Sequence, residues 1–230
     1  MLVPFKKIMK TARQNRFAVG AFNIYNLEGA LAVVRAAEEL SSPAILQVLP
    51  AALHIGRTPL IKLCLQAAAD AKVPVCVHLD HCASAQDISA ALDAGISSVM
   101  ADGSSLDDEA NIAFTREMVK LARSRNAGVE AELGKIAGTE DGLTIEEKHA
   151  RMTDPAQAVR FVQTTGIHAL AVCIGNIHGK YKEAPILDFD RLAEIETKVD
   201  VPLVLHGTSG LPDDMIKTAV SIGVCKFNVN

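Results

Sequence analysis

Short apolar runs of strand length alternate with amphipathic segments along almost the whole chain. The runs are nearly continuous in their hydrophobicity, which is typical of parallel strands that are buried on both faces. Most of them end at a glycine or at polar loop residues. The eight predicted strands are 18–23, 44–48, 73–79, 97–101, 128–133, 169–174, 201–206 and 225–230.

Helical periodicity fills the intervals between these strands. Leu27, Leu31 and Val34 recur at helical spacing, and a Ser84 N-cap followed by Gly95 brackets another helix. The predicted helices are 4–15, 26–40, 59–71, 84–94, 107–125, 155–164, 188–198 and 212–222. Eight strands that alternate with helices predict an α/β fold of the (β/α)₈ TIM-barrel type, with residues 1–230 as a single domain.

Two stretches stand apart from this alternation. The polar, glycine-containing stretch 134–152 follows the fifth predicted strand, and a loop of this length in a compact domain is usually functional or mobile. No helical segment follows the eighth predicted strand, although a barrel strand is normally covered by the helix after it. The expectation is therefore a barrel truncated at its C-terminal side after strand eight.

Composition narrows the class of protein. The chain has 230 residues, 49% of them hydrophobic, a net charge of −4, 4% aromatic residues and no Trp. A nucleic-acid surface needs a clustered basic face or aromatic stacking platforms, and neither is indicated. No apolar run approaches the ~20 residues of a membrane span. An odd number of cysteines, five, without a CxxC pair predicts reduced thiols and a cytoplasmic protein.

Three histidines close strand-like runs: His81 in VPVCVHLDH, His178 in ALAVCIGNIHG and His206 in VPLVLHG. The carboxyl ends of parallel barrel strands meet at one rim, which is where barrel enzymes place their active sites. Three imidazole nitrogens that leave one coordination position open are the ligand set of a catalytic Zn²⁺ site. The pattern therefore predicts a zinc site at this rim.

Further polar groups end the same strands. Asp80 adjoins His81, and a carboxylate near a cation stays ionised, so it can accept a substrate proton. His78 shares the strand parity of Asp80 and is predicted to be a hydrogen-bonded core residue. The glycine turns at 178–180 and 206–210 offer backbone N–H groups for a phosphate. A metal, a carboxylate and a phosphate cradle together indicate aldol or retro-aldol chemistry on a phosphorylated ketose.

Seven segments in order resemble the class II, zinc-dependent fructose-bisphosphate and tagatose-bisphosphate aldolase family, from about residue 3 to 230. They are AVGAFNIYNLE, HLDHC, SVMADGSSL, VEAELGKIAGTEDG, IGNIHGKY, LVLHGTSG and KFNVN. The resemblance implies cleavage of a ketose 1,6-bisphosphate to dihydroxyacetone phosphate and an aldehyde, glyceraldehyde 3-phosphate, as in glycolysis. It also implies a homodimer or homotetramer.

The resemblance assigns roles residue by residue. Zinc would be bound by His81, His178 and His206. The catalytic residues would be Asp80 at the C4 hydroxyl, Glu140 at the C3 proton and Asn228 at the enediolate. The substrate phosphate and a monovalent cation, Na⁺ or K⁺, would be surrounded by Gly179, Gly207, Ser209 and Asn230. Acidic positions near the metal, as partners of its ligands or as ligands of a second metal ion, would be Asp102 and Glu132.

Other functions remain open at this stage. A Schiff-base aldolase would need a strand lysine that faces the site, and Lys226 is the only candidate. A metal hydrolase of the amidohydrolase type would need an HxH pair on the first strand, which AVGAFN lacks. A degenerate barrel with a structural or regulatory role in a larger protein is the main alternative. Fructose and tagatose bisphosphates are both compatible with the sequence, as is a related phosphorylated ketose with a different number of carbon atoms. The sequence is also compatible with either Zn²⁺ or Co²⁺.

Overall fold

A computed structural model describes residues 1–140, 143–145, 151–179, 181 and 183–230. Eight parallel strands close a barrel, and the predicted (β/α)₈ fold is confirmed. The barrel strands are β1 (Val19–Asn23), β2 (Ala44–Val48), β3 (Val75–Cys82), β4 (Ser98–Ala101), β5 (Gly128–Leu133), β8 (Ala169–Val172), β10 (Leu203–Leu205) and β11 (Val224–Val229). Their order around the barrel is β1-β11-β10-β8-β5-β4-β3-β2.

Eight helices accompany the strands in the described part of the chain. They are α1 (Phe5–Asn15), α2 (Leu27–Glu39), α3 (Pro50–Asp70), α4 (Ala85–Asp93), α5 (Asp108–Arg123), α6 (Pro155–Thr165), α7 (Phe189–Lys198) and α8 (Asp213–Ile222). Side chains of Asn26, Ser84 and Asp107 accept hydrogen bonds from backbone N–H groups in the first turns of α2, α4 and α5. These N-caps explain why the predicted helix starts lie within a residue of the observed ones.

The third helix is longer than the sequence predicts. A helix over 59–71 was expected from Pro59, but the helical segment begins at Pro50 and continues through a break at Arg57, where φ is 48°. Both prolines stand at the start of a helical piece, where a missing N–H is tolerated. The prediction recognised only the second of the two pieces.

Helix α1 closes the N-terminal mouth of the barrel. Its buried face, which includes Phe5, Ile8 and Met9, packs with barrel residues such as Val19 and Cys76. The Phe5 ring stacks on the imidazole of His78 with ring centroids 5.4 Å apart. One end of the barrel is thus sealed by apolar side chains, which leaves the opposite end for chemistry.

The stretch 134–152 contains a small second sheet. Strands β6 (Ala137–Glu140) and β7 (Leu143–Ile145) form an antiparallel pair, and β6 also pairs in parallel with β9 (Ile177–His178). The segment that follows β5 is therefore joined to the segment that follows β8. This link determines where one of the predicted zinc ligands lies.

All five cysteines are buried and unbridged, as predicted for reduced thiols. Burial raises the pKa of Cys64 and Cys76 to about 12 and that of Cys82, Cys173 and Cys225 to about 11. Because the thiolate is the reactive form, we expect native protein at pH 8 to resist alkylation by iodoacetamide. Mass spectrometry should find five modified cysteines only after denaturation, and rapid labelling of the native protein would contradict this packing.

In the part of the chain that the structure describes, each helix is too short or too polar to cross a lipid bilayer.

Candidate functional site

The three histidines converge at the carboxyl-end rim of the barrel. One ring nitrogen from each of His81, His178 and His206 lies within 4.8 Å of the others, a spacing at which the three could hold a metal ion. The imidazoles of His81 and His206 are closest, with Nε2 of the first 2.7 Å from Nδ1 of the second. Residues that are remote in sequence are thus brought to one point.

A backbone irregularity aims His81 at this point. Consecutive side chains of a regular strand face opposite sides, so Asp80 and His81 could not both face the site in an ideal strand. The pairing of β3 with β4 shifts its register between Leu79 and Cys82, and His81 has a φ of 42°. Such a bulge re-aims a side chain at the end of a strand. Here it places an acid and a ligand side by side.

His178 lies beyond the sixth barrel strand, on a short strand of its own that was not predicted. Strand β8 ends at Val172, and His178 belongs to the separate short strand β9. The Asn176 side chain holds the intervening turn, because its Oδ1 accepts from the N–H of Ile174 and its Nδ2 donates to the carbonyl of His206. The hydrogen bonds of the Asn176 side chain stabilise a turn at this point, and β8 therefore does not continue to His178.

Tyr181 ties the same segment to the neighbouring strand. Its hydroxyl accepts a hydrogen bond from the N–H of Ile177 at 3.2 Å and donates to the carbonyl of Gly207 at 2.9 Å. The position of His178 is therefore set by contacts with the loop after β10. Sequence analysis did not identify Tyr181, since a single loop tyrosine carries no distinctive spacing.

Two glycines let three backbone segments pack directly around His178. A Cβ atom at Gly138 would lie 2.0 Å from the carbonyl oxygen of His178, and one at Gly207 would lie 2.1 Å from that of Ile177. Both glycines have positive φ angles, of 107° and 61°. No side chain fits at either position, so both glycines are needed for these backbone segments to pack against residues 177–178.

Substitution Gly138→Ala should therefore displace β9 and weaken the metal site. We expect a loss of about 2–4 kcal/mol of unfolding free energy from overpacking and the left-handed backbone, together with weaker zinc binding. The matched control is Gly166→Ala at the end of α6, where φ is also positive but a Cβ meets nothing within 4 Å. It should cost only about 1 kcal/mol and leave zinc affinity unchanged. Urea denaturation and chelator competition measure both, and equal effects would contradict the packing argument.

Two carboxylates set which nitrogens of His81 and His206 carry protons. Nδ1 of His81 donates to Asp102 Oδ2 at 2.7 Å, and Nε2 of His206 donates to Glu130 Oε1 at 2.8 Å. Because a carboxylate only accepts, the facing nitrogens of the two rings then hold lone pairs. Burial also lowers the pKa of His206 well below its ordinary value, which favours the neutral ring. Lone pairs this close repel each other unless a cation lies between them, so this donor set fits a metal ion.

The carboxylate of Asp102, which hydrogen-bonds to His81, has a lowered pKa. Burial by itself raises the pKa of Asp102, but hydrogen bonds from His81 and Ser104 lower it, and the resulting pKa lies well below the ordinary range. The backbone N–H of Ser104 donates to Asp102 Oδ1 at 3.0 Å. The carboxylate therefore stays ionised at neutral pH and orients the His81 ring. The structure places Asp102 beside a predicted ligand.

Asp80 lies fully buried next to the histidine cluster. The Asn228 side chain donates from Nδ2 to both carboxylate oxygens of Asp80, at 3.1 and 3.0 Å. The same Nδ2 atom lies 3.4 Å from Nδ1 of His206. Asn228 thus links the predicted acid–base residue to a predicted ligand, and all three occupy one buried polar layer.

The structure describes the side chain of Glu132 but not that of Glu140. Glu132 is 2% exposed, and its Oε2 atom lies 3.9 Å from Nδ1 of His206, as expected for an acidic group near the metal position. Glu140 is the last residue of β6. Its side chain lies outside the described part of the structure, so its predicted role in proton transfer stays a prediction.

The predicted phosphate-binding residues all lie on the rim loops. Ser209 and Asn230 contact each other, since Ser209 Oγ accepts from the N–H of Asn230 at 3.0 Å and donates to its carbonyl at 3.2 Å. Gly179 directly follows His178 and is exposed, whereas Gly207 packs on Ile177. Gly179 and Gly207 are thus chain neighbours of His178 and His206, and the contact of all four residues with phosphate stays a prediction.

A buried ion pair below the histidines was not predicted. Lys226 Nζ lies 3.0 Å from Glu130 Oε2, and both side chains are fully buried. Sequence analysis considered Lys226 only as a Schiff-base amine. An ammonium group engaged by a carboxylate is not a nucleophile, which disfavours that alternative. Charged residues inside two otherwise apolar strands were the signal that could have suggested a pair.

His78 is fully buried, and its Nδ1 lies 2.6 Å from the Ser98 hydroxyl. This agrees with the predicted hydrogen-bonded core role. Burial lowers the pKa of His78 well below its ordinary value, so the ring is neutral.

Comparison with known proteins supports the same fold. The sequence profile of class-II fructose-bisphosphate aldolase matches residues 3–230. Among solved structures, a candidate fructose-1,6-bisphosphate aldolase from Coccidioides immitis is 37% identical with a TM-score of 0.92, covering 97% of this chain and 80% of that one. The YdjI aldolase of Escherichia coli K12 is 38% identical with a TM-score of 0.88, covering 100% of this chain and 81% of that one.

A fructose-bisphosphate aldolase from Campylobacter jejuni is more distant, at 25% identity and a TM-score of 0.82, with 99% of this chain and 77% of that chain covered. The profile match spans nearly the whole sequence, and the likeness of fold is accompanied by substantial identity in two of the three structures. The chain therefore belongs to the class II fructose-bisphosphate aldolase family.

Proposed function

We propose that this protein is a zinc-dependent aldolase that cleaves a ketose 1,6-bisphosphate reversibly to dihydroxyacetone phosphate and glyceraldehyde 3-phosphate. The observation that carries the proposal is the convergence of His81, His178 and His206 beside the buried carboxylate of Asp80. Membership of the family supports a lyase activity of this type. A structural or regulatory role would not require three oriented imidazoles next to an acid.

His81, His178 and His206 would hold the metal through the nitrogens that face one another. Three neutral imidazoles are typical ligands of catalytic Zn²⁺, and a bound zinc ion would polarise the ketone oxygen of the substrate. Asp102 and Glu130 keep His81 and His206 in the required tautomers. The rest of the reaction depends on side chains of this chain.

In the cleavage direction Asp80 would accept the proton of the C4 hydroxyl. The C3–C4 bond then breaks, C4 becomes the aldehyde carbon, and the bonding electron pair stays with the dihydroxyacetone phosphate fragment. Protonation at C3 completes the reaction, and the family resemblance assigns that proton to Glu140. Asn228, which holds both oxygens of Asp80, would orient the carboxylate toward the hydroxyl.

Gly179, Gly207, Ser209 and Asn230 would surround the phosphate next to the ketone, together with a monovalent cation. Backbone N–H groups of glycine turns suit a phosphate dianion, and a cation would offset its charge. The substrate is then fructose or tagatose 1,6-bisphosphate, which differ in configuration at C4. That carbon is the one whose hydroxyl meets Asp80, so the choice depends on side chains around this acid.

Localisation and assembly are part of the proposal. The five unbridged cysteines support a reducing compartment, and we place the protein in the cytoplasm. Assembly as a homodimer or homotetramer is expected from the family resemblance. Sedimentation equilibrium measures the oligomeric state directly.

The test combines metal analysis with product release. We expect about one Zn²⁺ per chain and release of dihydroxyacetone phosphate that stops with EDTA and returns with zinc. Fructose and tagatose 1,6-bisphosphates are assayed in parallel, and the sugar with the higher kcat/KM is assigned as substrate. Zinc binding without cleavage of either sugar would contradict the proposed reaction. Folded protein that binds no zinc would contradict the metal site and favour the degenerate-barrel alternative.

A further inference from the structure

Lys226 is a buried cation in the interior of the barrel. It lies on β11, its side chain has no solvent exposure, and it is among the largest fully buried side chains of the described residues. Removing an ammonium group from water is costly unless it is paired and hydrogen-bonded. A lysine at such a position therefore needs a compensating arrangement, and its neighbours provide one.

The Lys226 ammonium group contacts two side chains that belong to different parts of the site. Nζ donates to Glu130 Oε1 at 3.1 Å and to Asn228 Oδ1 at 2.7 Å. Glu130 accepts from Nε2 of the ligand His206, and Asn228 donates to Asp80. The Lys226 ammonium group is thus linked to His206 through Glu130 and to Asp80 through Asn228.

Each contact constrains what its partner can do. An amide has one acceptor end and one donor end, so an Asn228 that accepts from the ammonium must present its Nδ2 to Asp80. The Lys226 ammonium group likewise holds the Glu130 carboxylate in place, and Oε1 of that carboxylate contacts Nε2 of His206. A neutral residue at position 226 would leave the amide free to rotate and Glu130 without its counter-ion.

We propose that Lys226 is a positioning residue that acts in two directions, on His206 through Glu130 and on Asp80 through Asn228. Among the described residues its Nζ atom hydrogen-bonds to Glu130 and Asn228, and these two side chains contact His206 and Asp80 in turn. The effect on zinc affinity stands on the geometry of the histidine site. The effect on turnover rests on the proposed aldolase function.

The variant Lys226→Met removes the ammonium group and keeps an unbranched side chain of similar length. We expect zinc affinity, measured by chelator competition, to fall by about 10–100-fold, as for other residues that support metal ligands. With saturating zinc, kcat should fall by at least about tenfold while KM stays within about twofold, because Asp80 acts on the reacting hydroxyl. Lys226→Arg restores the charge and should recover part of the zinc affinity.

The matched control is Val204→Ala. Val204 is a fully buried apolar residue on β10 and is the direct pairing partner of Lys226. This variant perturbs the packing of the same region without touching the polar network. It should lower the melting temperature and leave zinc affinity and kcat close to wild type. If Lys226→Met behaves like Val204→Ala, with a lower melting temperature only, Lys226 is a packing residue and the inference is wrong.

A double variant covers the case in which Lys226→Met does not fold. Lys226→Met/Glu130→Gln removes both members of the buried pair, a change that is commonly better tolerated than removing one. If Lys226 acts on the metal through Glu130, the double variant should bind zinc about as weakly as Glu130→Gln alone. Losses that multiply would overturn that half of the inference.

The same measurements distinguish the inference from the proposed function. Wild-type protein that binds zinc but cleaves neither bisphosphate refutes the proposed reaction, and the chelator competition still tests Lys226. Wild-type protein that cleaves a bisphosphate, together with a Lys226→Met variant unchanged in zinc affinity and kcat, refutes only the role of Lys226.

Discussion

Replacing His206 with alanine is expected to abolish tight zinc binding and to reduce kcat by at least about a thousandfold. Lewis-acid catalysis by a metal contributes several kcal/mol, and each 1.4 kcal/mol corresponds to about a factor of ten in rate. His206 is fully buried, faces His81 across 2.7 Å, and gives its other nitrogen to Glu130. Its loss removes a predicted ligand and one of the two side chains that hydrogen-bond to the buried Glu130 carboxylate.

The measurements are bound zinc by elemental analysis and release of dihydroxyacetone phosphate at saturating substrate. The matched control is His54→Ala, because His54 is a histidine of α3 with a side chain that is 61% exposed and hydrogen-bonds to Asp87 on α4. That variant should keep zinc and activity. A His206→Ala protein that folds, retains one tightly bound zinc and turns over normally would show that the metal lies elsewhere.

Substitution Asp80→Asn should separate acid–base catalysis from metal binding. The amide has the shape of the carboxylate but cannot accept the C4 hydroxyl proton, and general base catalysis contributes about 10²–10⁴-fold. We therefore expect kcat to fall by about that factor while zinc content stays at the wild-type level. KM should change little, because Asp80 is proposed to act in the bond-breaking step.

A control for the loss of one aspartate charge is Asp93→Asn. Asp93 lies at the end of α4, is largely exposed and pairs with Arg125, so its replacement should leave kcat unchanged. A surface ion pair of this kind contributes little to stability, and folding should be preserved. If Asp80→Asn lost its zinc along with its activity, Asp80 would act on the metal site and not on the substrate proton.

Much of the barrel could be predicted from the chain because its signals are local. Apolar runs such as 44–48 and 128–133 indicate strands buried on both faces, and helix caps such as Ser84 mark where helices start. Parallel strands that alternate with helices have few possible arrangements, and the closed barrel is one of them. The strand-end positions of His81 and His206 then predicted a shared rim, where the structure places both.

The position of His178 could not be predicted from local sequence patterns. Its apolar run continues past Val172, and hydrophobicity alone extends the sixth strand toward the histidine. The strand ends earlier because Asn176 caps the turn and β9 pairs with β6, a contact with a segment about 40 residues away. Pairing between such distant segments depends on the assembled barrel, and the local pattern of apolar and polar residues does not predict it.

By itself, then, the sequence determined the strands and helices, the rim on which the chemistry lies and the residue types available there. Only the tertiary structure decided the bulge that turns His81 beside Asp80, the glycine contacts that hold His178, and the pairing of Lys226 with Glu130. The physical reason is the range of the forces involved. Strand and helix preferences act between near neighbours, whereas buried charges find partners across the barrel because desolvation makes an unpaired charge too costly.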